Sequence, residues 1–385
     1  MINIATSGVT NIFLGTSGAT AVYLGSNLVW STGGHDYSQD YFTLKALESG
    51  DFYWNVSNVE YSLNDGAWTT WTATDSANTL SVSADDKIRL KSKNTSYTSF
   101  PIHATGNYDA EGNVMSLFYE DDFEGQTKLR GQYASRGLFY NSTTLVNAEN
   151  LVLPATELTI ECYLEMFRGC TSLVTAPKNL PANVLSTYCY HTMFAGCTSL
   201  KTAPELPATA LSSGCYQNMF NGCTSLVNAP DLPATTAAGN CYQNMFAGCT
   251  SLVNAPKIAA TTLGGNNCYQ SMFEGCTSLV NAPELPASAL TSSCYKQMFA
   301  GCTSLVNAPD LNATTLTTSC YRQMFQGCSN LNYIKCLATD ISAGSSHYNW
   351  VTGVAAAGTF VKAAGMNDWG TGTSGIPNGW TIVDA

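Results

Sequence analysis

Cysteine is the residue with the most chemistry to offer in this chain, and its spacing decides which chemistries are open. Of the fifteen cysteines, fourteen fall two per unit in seven copies of C-Y-x-x-M-F-x-G-C between Cys162 and Cys328. The two cysteines of a unit stand eight apart, as in Cys241 and Cys249. On a helix that spacing is a rise of about 12 Å, and a disulfide needs Cα atoms within about 7 Å. Pairing within a unit is therefore excluded, and pairing between units is left open. The spacing is no zinc-knuckle spacing, and the repeats hold one histidine, His191. The reading is of buried free thiols acting as small apolar groups, with no metal and no cofactor.

Other reactive groups are just as dispersed. His35, His103, His191 and His347 have no nucleophile and carboxylate spaced around them as a triad would require. Glu120-Asp121-Asp122 could hold calcium, but it reads first as a solvated loop. The tyrosines after the leading cysteines (Tyr163, Tyr190, Tyr216, Tyr242, Tyr269, Tyr295, Tyr321) could stack sugars, yet they are expected in the core with their hydroxyls satisfied. No catalytic residue is assigned, and the chain is read as non-enzymatic.

The elements that position these groups follow from the period. The leading cysteines recur every 26 or 27 residues, which marks a solenoid whose units bury their apolar faces against each other. In Cys241–Cys249 the apolar residues Cys241, Met245 and Cys249 sit at i, i+4 and i+8, with Tyr242 and Phe246 one step around. That pattern predicts a two-turn α-helix stopped at Gly248. The following Leu252-Val-Asn-Ala-Pro256 predicts a strand with Leu252 and Ala255 inward. Pro256 lacks an N–H for a ladder, so the strand must be very short.

Stacking turns equivalent residues into columns. After the shared proline run Lys178, Glu205, Asp231, Lys257, Glu284 and Asp310, all charged in a chain with only 11% charged residues. Beside them run Thr175, Thr202, Asn228, Asn254, Asn281 and Asn307. Alternation along a strand sends these to solvent. They form the candidate binding face, Asn228, Asn254, Asn281 and Asn307 with the six charged residues, for a protein or glycan. A polar face that merely prevents sticking is the plainer alternative.

Four regions are expected. Residues 1–34 form an N-terminal β module, with Gly8–Gly15 and Gly18–Gly25 as two copies of one strand pattern and a third strand at Ser26–Trp30. Residues 35–132 form a β-sandwich-like domain with strands at Tyr41–Leu47, Phe52–Asn55, Glu60–Leu63, Trp68–Ala73, Thr79–Ser83 and Lys87–Lys93. Asn64-Asp65-Gly66 there is a hairpin turn. Residues 133–337 form the solenoid, opened by a degenerate copy around Leu138–Leu145. Residues 338–385 lack the period and cap it, with Trp350, Trp369, Trp380 and a last strand at Trp380–Val383.

The unit as written, for example Met219-Phe220, Cys223, Leu226, Ala229 and Leu232-Pro233, resembles the BspA-like (Treponema-type) leucine-rich repeat of bacterial surface proteins. That resemblance covers about residues 133–337. It implies an α/β solenoid of about seven full repeats plus a degenerate cap, preceded by small all-β domains. The blocks before and after the repeats look like those of gut Bacteroidetes surface proteins, and the Phe-Leu-Gly and Tyr-Leu-Gly start looks like virion modules of phages of those bacteria. The expected role is a structural virion protein, a head or tail fibre or decoration. Its N-terminus would contact other virion proteins, and its solenoid would bind a host cell-surface protein or glycan. The alternative is a bacterial cell-surface adhesin. A net charge of −11 argues against nucleic acid. No apolar stretch approaches a membrane span, and no secretory signal is read at the start. A homo-oligomer is compatible with a fibre.

Overall fold

The computed structural model describes residues 35–97 and 100–385, and before them the backbone of two antiparallel strands, β1 (Ala21–Leu24) and β2 (Asn27–Ser31). These two match the second and third strands expected near the N-terminus; the Gly8–Gly15 strand lies outside the described residues.

The β-domain uses its alternating apolar residues to cover one core from two sheets. Its strands are β3 (Phe42–Ala46), β4 (Gly50–Tyr53), β5 (Val59–Leu63), β6 (Thr69–Thr70), β7 (Leu80–Val82), β8 (Lys87–Ser92), β9 (His103–Ala104) and β10 (Tyr108–Asn113). Strands β7, β4 and β9 make the smaller sheet. The larger sheet runs β10-β3-β8-β5-β6 and continues beyond β10. Asn64 and Asp65 both have positive φ and join β5 to β6, as a type I′ hairpin requires. The sequence reading missed β9 and β10, and β10 is the joint of the molecule. It pairs antiparallel with β3 on one side and parallel with β11 (Leu145–Asn147) and β12 (Leu151–Val152) on the other. The domain's sheet thus runs straight into the first coil of the solenoid.

The expected repeat helices are not there, and with them goes the α/β class. Among the described residues the one α-helix is the single turn α1, Ser116–Tyr119. The segment Asn240–Cys249 is instead a ribbon of consecutive β-turns. Gln243, Met245, Ala247 and Cys249 each donate an N–H to the carbonyl three residues back. The alternate amides, Asn240, Tyr242, Asn244, Phe246 and Gly248, donate to carbonyls of the next coil, at Asn266, Cys268, Gln270, Met272 and Glu274. The same set of bonds recurs at every junction from Tyr133–Asn141 to Ser319–Gly327.

Each fourth residue of the ribbon, Asn240, Asn244 and Gly248, has positive φ, which an α-helix cannot carry. The apolar spacing of four fits both structures. The ribbon wins because it turns Cys241, Tyr242, Met245, Phe246 and Cys249 all inward, each at most 1% exposed. A two-turn helix could not bury two adjacent residues per turn so completely, and it would not hold alone.

Inside, identical side chains stack in register. Phe139, Phe167, Phe194 and their successors to Phe325 lie with ring centroids 5.1–5.8 Å apart and nearly parallel planes. The tyrosine column runs beside them at 5.2–6.2 Å. Both columns end on Trp350, which stacks on Trp369.

On the other side the coils meet through isolated bridges, one of which recurs at every junction. Asn147, Thr175, Thr202, Asn228, Asn254, Asn281, Asn307 and Tyr333 pair in succession, all parallel. From Thr175 to Asn307 the following Ala-Pro interrupts the pairing at once, as the missing proline N–H dictates. A second short contact, β13 (Thr236–Ala237) with β14 (Thr262–Leu263), joins two coils further along the chain. Where the proline is gone, real strands form: β15 (Tyr333–Cys336), β16 (Thr359–Lys362) and β17 (Thr381–Asp384), also parallel. The C-terminal block therefore continues the stack instead of only covering it, with a further ribbon coil at Ser345–Gly353 that keeps positive φ at Ser345, Asn349 and Gly353.

Gly248 tests the ribbon. A Cβ there would sit 3.6 Å from Gly222 Cα, an ordinary contact, so space does not demand glycine; its φ of +74° does. Gly248→Val should cost about 1–3 kcal/mol of stability, while Asn244→Gly should be close to neutral. Thermal and denaturant unfolding of the two variants checks this, and an unshifted Tm for Gly248→Val would contradict the ribbon geometry.

Candidate recognition face

The second cysteine of each repeat has a job that the stack itself defines. The Phe carbonyl of a coil accepts the N–H of its own cysteine three residues on. It also accepts the thiol of the cysteine in the next coil, as Cys249 Sγ to Phe220 O at 3.1 Å and Cys276 Sγ to Phe246 O at 3.1 Å. A small side chain with one weak donor fits there. All fifteen cysteines are buried and unbridged. Burial pushes the Cys249 and Cys215 thiols up to about 12, and holds Tyr242 well above the usual phenol range. These are inert groups, in contrast to a catalytic thiolate, which needs a depressed pKa.

The tyrosine column is core as expected, at most 2% exposed. The expectation of satisfied hydroxyls does not hold throughout: Tyr163, Tyr190 and Tyr269 Oη have no partner among the described residues. Glu120–Asp122 is a 3₁₀ turn tied to β8 by Lys91–Asp121 at 2.9 Å and to the residue after it by Lys93–Glu120 at 2.6 Å. Among the described residues no group of three or more His, Cys, Asp and Glu is arranged to hold a metal. No helix of these residues is long and apolar enough to cross a membrane.

All ten residues read from the sequence as a binding face are exposed. The asparagines are the bridging residues themselves, so their backbones lock the coils and their side chains face water. Asn254 Nδ2 donates to Asn228 Oδ1 at 2.7 Å, and at the start of the ladder Thr175 Oγ1 donates to Asn147 Oδ1 at 2.6 Å. The charged column lies just past the proline. Lys178 pairs with Glu149 at 3.5 Å and Asp310 with Lys335 at 2.7 Å, both in solvent. Asp231 accepts the backbone N–H of Lys257. The Asp310 carboxylate raises the pKa of the Lys335 amine by hydrogen bond and charge.

Grooves open between these columns. One of about 520 Å³ is lined by Thr202, Glu205, Asn228 and Asp231, with Pro207 and Pro233 in its lining. A second, of about 410 Å³, has the equivalent residues Glu284 and Asp310 with Pro283, Pro286 and Pro309. A third, of about 400 Å³, brings Lys178 together with His35 and Tyr37. Asn254, Lys257, Asn281 and Asn307 line none of the three. The prolines are the part of the grooves that the sequence reading missed. Their signal was available in the recurrence of Ala-Pro-x-Leu-Pro, of which the first proline was used only as a strand stop.

A profile of the BspA type leucine rich repeat region matches in six copies, over residues 134–270 and 266–349. No curated protein matches the chain. Among solved structures, a leucine-rich repeat protein from Bacteroides ovatus is similar at 14% identity, over 74% of this chain and 86% of that one, with a TM-score of 0.25.

The buried thiols set a direction for alkaline pH. Their pKa is raised from 9.0 in the folded state, for Cys249 to about 12. The folded chain then holds protons that the unfolded chain loses. Their contribution is whole below about pH 9 and falls as pH rises towards 12. The Tm should drop between pH 7 and pH 10, and thiol reagents should label the cysteines only as the protein unfolds. Rapid labelling of native protein at pH 8 would contradict the burial.

Proposed function

Since the chain belongs to the BspA type leucine-rich-repeat family, we propose that it is a non-catalytic recognition protein that binds a macromolecule on the host surface through the bridged face of its solenoid. One observation carries this reading: the asparagine ladder, the charged column and the proline-walled grooves lie together on one exposed side, while the thiols and phenols are sealed inside. An enclosed site with activated groups would be needed for turnover, and the exposed face supplies shape and polar contacts instead.

We assign the carrier to a virion, as a fibre or decoration fixed to other virion proteins through its N-terminal strands. The repeated Gly-bounded sequence pattern of the N-terminus supports this. The repeat family supports the second reading, a bacterial cell-surface adhesin, equally well. Mass spectrometry of purified phage particles and of bacterial surface fractions from the encoding culture separates the two. Stoichiometric presence on particles supports the virion, and presence confined to cells supports the adhesin.

The face itself is tested by charge insertion. Asn254→Arg should weaken binding of the purified chain to host cells by about tenfold or more, about 1.4 kcal/mol. Gln243→Arg, on the turn ribbon, should leave binding unchanged. Equal binding by wild type and Asn254→Arg would overturn the assignment of the face.

A further inference from the structure

The charges along the face are ordered. From one end they read Lys178, Glu205, Asp231, Lys257, Glu284, Asp310, Lys335, a lysine on every third coil and two acidic coils between. The surrounding residues repeat with the same period. Ala203-Pro-Glu-Leu-Pro-Ala208 is identical to Ala282–Ala287, and Ala229-Pro-Asp-Leu232 to Ala308–Leu311. Residues of these identical stretches line two grooves of the solenoid face. The coil between them carries Lys257-Ile258-Ala259 in place of acid-Leu-Pro. A Glu–Asp groove is thus built twice, the first with Lys201 also in its lining, and Lys257 stands midway between the two. Among the described residues Glu205, Asp231, Glu284 and Lys257 form no salt bridge, whereas Lys178 pairs with Glu149, and Lys335 pairs with Asp310, a pairing that an incoming arginine would share or displace.

The spacing selects a ligand geometry. Bridged coils lie about 4.8 Å apart, so Glu205 and Asp231 can both reach one guanidinium, as can Glu284 and Asp310. Three coils separate the two pairs, about 14 Å, with Lys257 about 7 Å from each. An extended polypeptide advances about 3.3 Å per residue and points i, i+2 and i+4 to one side. Those residues then stand about 7 and 13 Å along.

We infer that this face takes an extended polypeptide laid along the solenoid axis. An arginine at i and another at i+4 enter the two grooves, and an acidic residue at i+2 meets Lys257. The exposed asparagine ladder offers amide partners to the peptide backbone. Neutral glycans have nothing to answer the alternation of charge, and anionic glycans are repelled by four carboxylates. The inference rests on the reading of this face as the recognition surface, and it names the class of partner.

Fluorescence anisotropy with the full chain and short labelled peptides tests it. An Arg-x-Glu-x-Arg peptide should bind at least about tenfold more tightly than Arg-x-Glu-Arg or Arg-x-Lys-x-Arg. Glu205→Gln with Glu284→Gln should remove most of that affinity. Lys257→Glu should reverse the preference at the central position, a result that general loss of folding cannot imitate. Equal binding of all three peptides, or an unchanged central preference in Lys257→Glu, would overturn it. Host-cell binding separates the two levels. If Asn254→Arg abolishes it while Glu205→Gln/Glu284→Gln and Lys257→Glu do not, the face stands and the peptide assignment fails. If none of these variants affects it, the face itself fails.

Discussion

The structure depends on one set of hydrogen bonds, the alternate amides of each turn ribbon donating to the coil that follows. In a parallel sheet neighbouring strands exchange bonds in both directions. Here every inter-coil bond of the ribbon points the same way, N–H towards the C-terminal end. The remaining amides close turns within their own coil, so no backbone donor is left to choose another partner. This forces positive φ at every fourth residue and fixes which side chains face inward. A coil cannot shift by one residue without losing both its turns and its stack.

A one-way ladder leaves unlike ends. The first coil presents carbonyls, and the β-domain supplies donors to them: Tyr97 N–H to Ala134 O and Ile102 N–H to Leu138 O. The last presents amides, and the Gly370–Ile376 turn supplies acceptors, with Ser374 Oγ receiving Asn349 N–H and Thr373 O receiving Val351 N–H. Trp350 closes the aromatic columns at the same end and donates its Nε1–H to Gly375 O. Both flanking blocks are thus fitted to the polarity of the solenoid, since buried backbone groups left unpaired are costly.

The exposed bridged face is a by-product of the opposite constraint. Proline after the bridging asparagine interrupts the ladder, so coils meet at isolated bridges instead of along a strand, and the chain bends there into the Leu-Pro corner. A continuous flat sheet would have offered an open template for aggregation. The interrupted one leaves a single file of asparagines and grooves whose charge varies from coil to coil. The grooves and the lack of a continuous sheet surface come from the same break in the ladder.

Much of this was legible in the residues. The 26–27 residue period indicated the stack, Asn64-Asp65-Gly66 the hairpin of the β-domain, and Pro256 the brevity of the strand. These follow from local covalent facts: a missing N–H and a tolerated positive φ. The columns of Asn and charge were readable for the same reason, because a repeat places equal positions on one face. What the sequence could not decide was whether Cys241, Met245 and Cys249 lie on a helix or on a run of turns, since both share a spacing of four. That choice was made by the neighbouring coil, which offers the acceptors and stacked rings a lone segment lacks. The grooves, the two caps and the joint at β10 are likewise tertiary. Each arises where residues distant in the chain complete hydrogen bonds or walls that no single repeat contains.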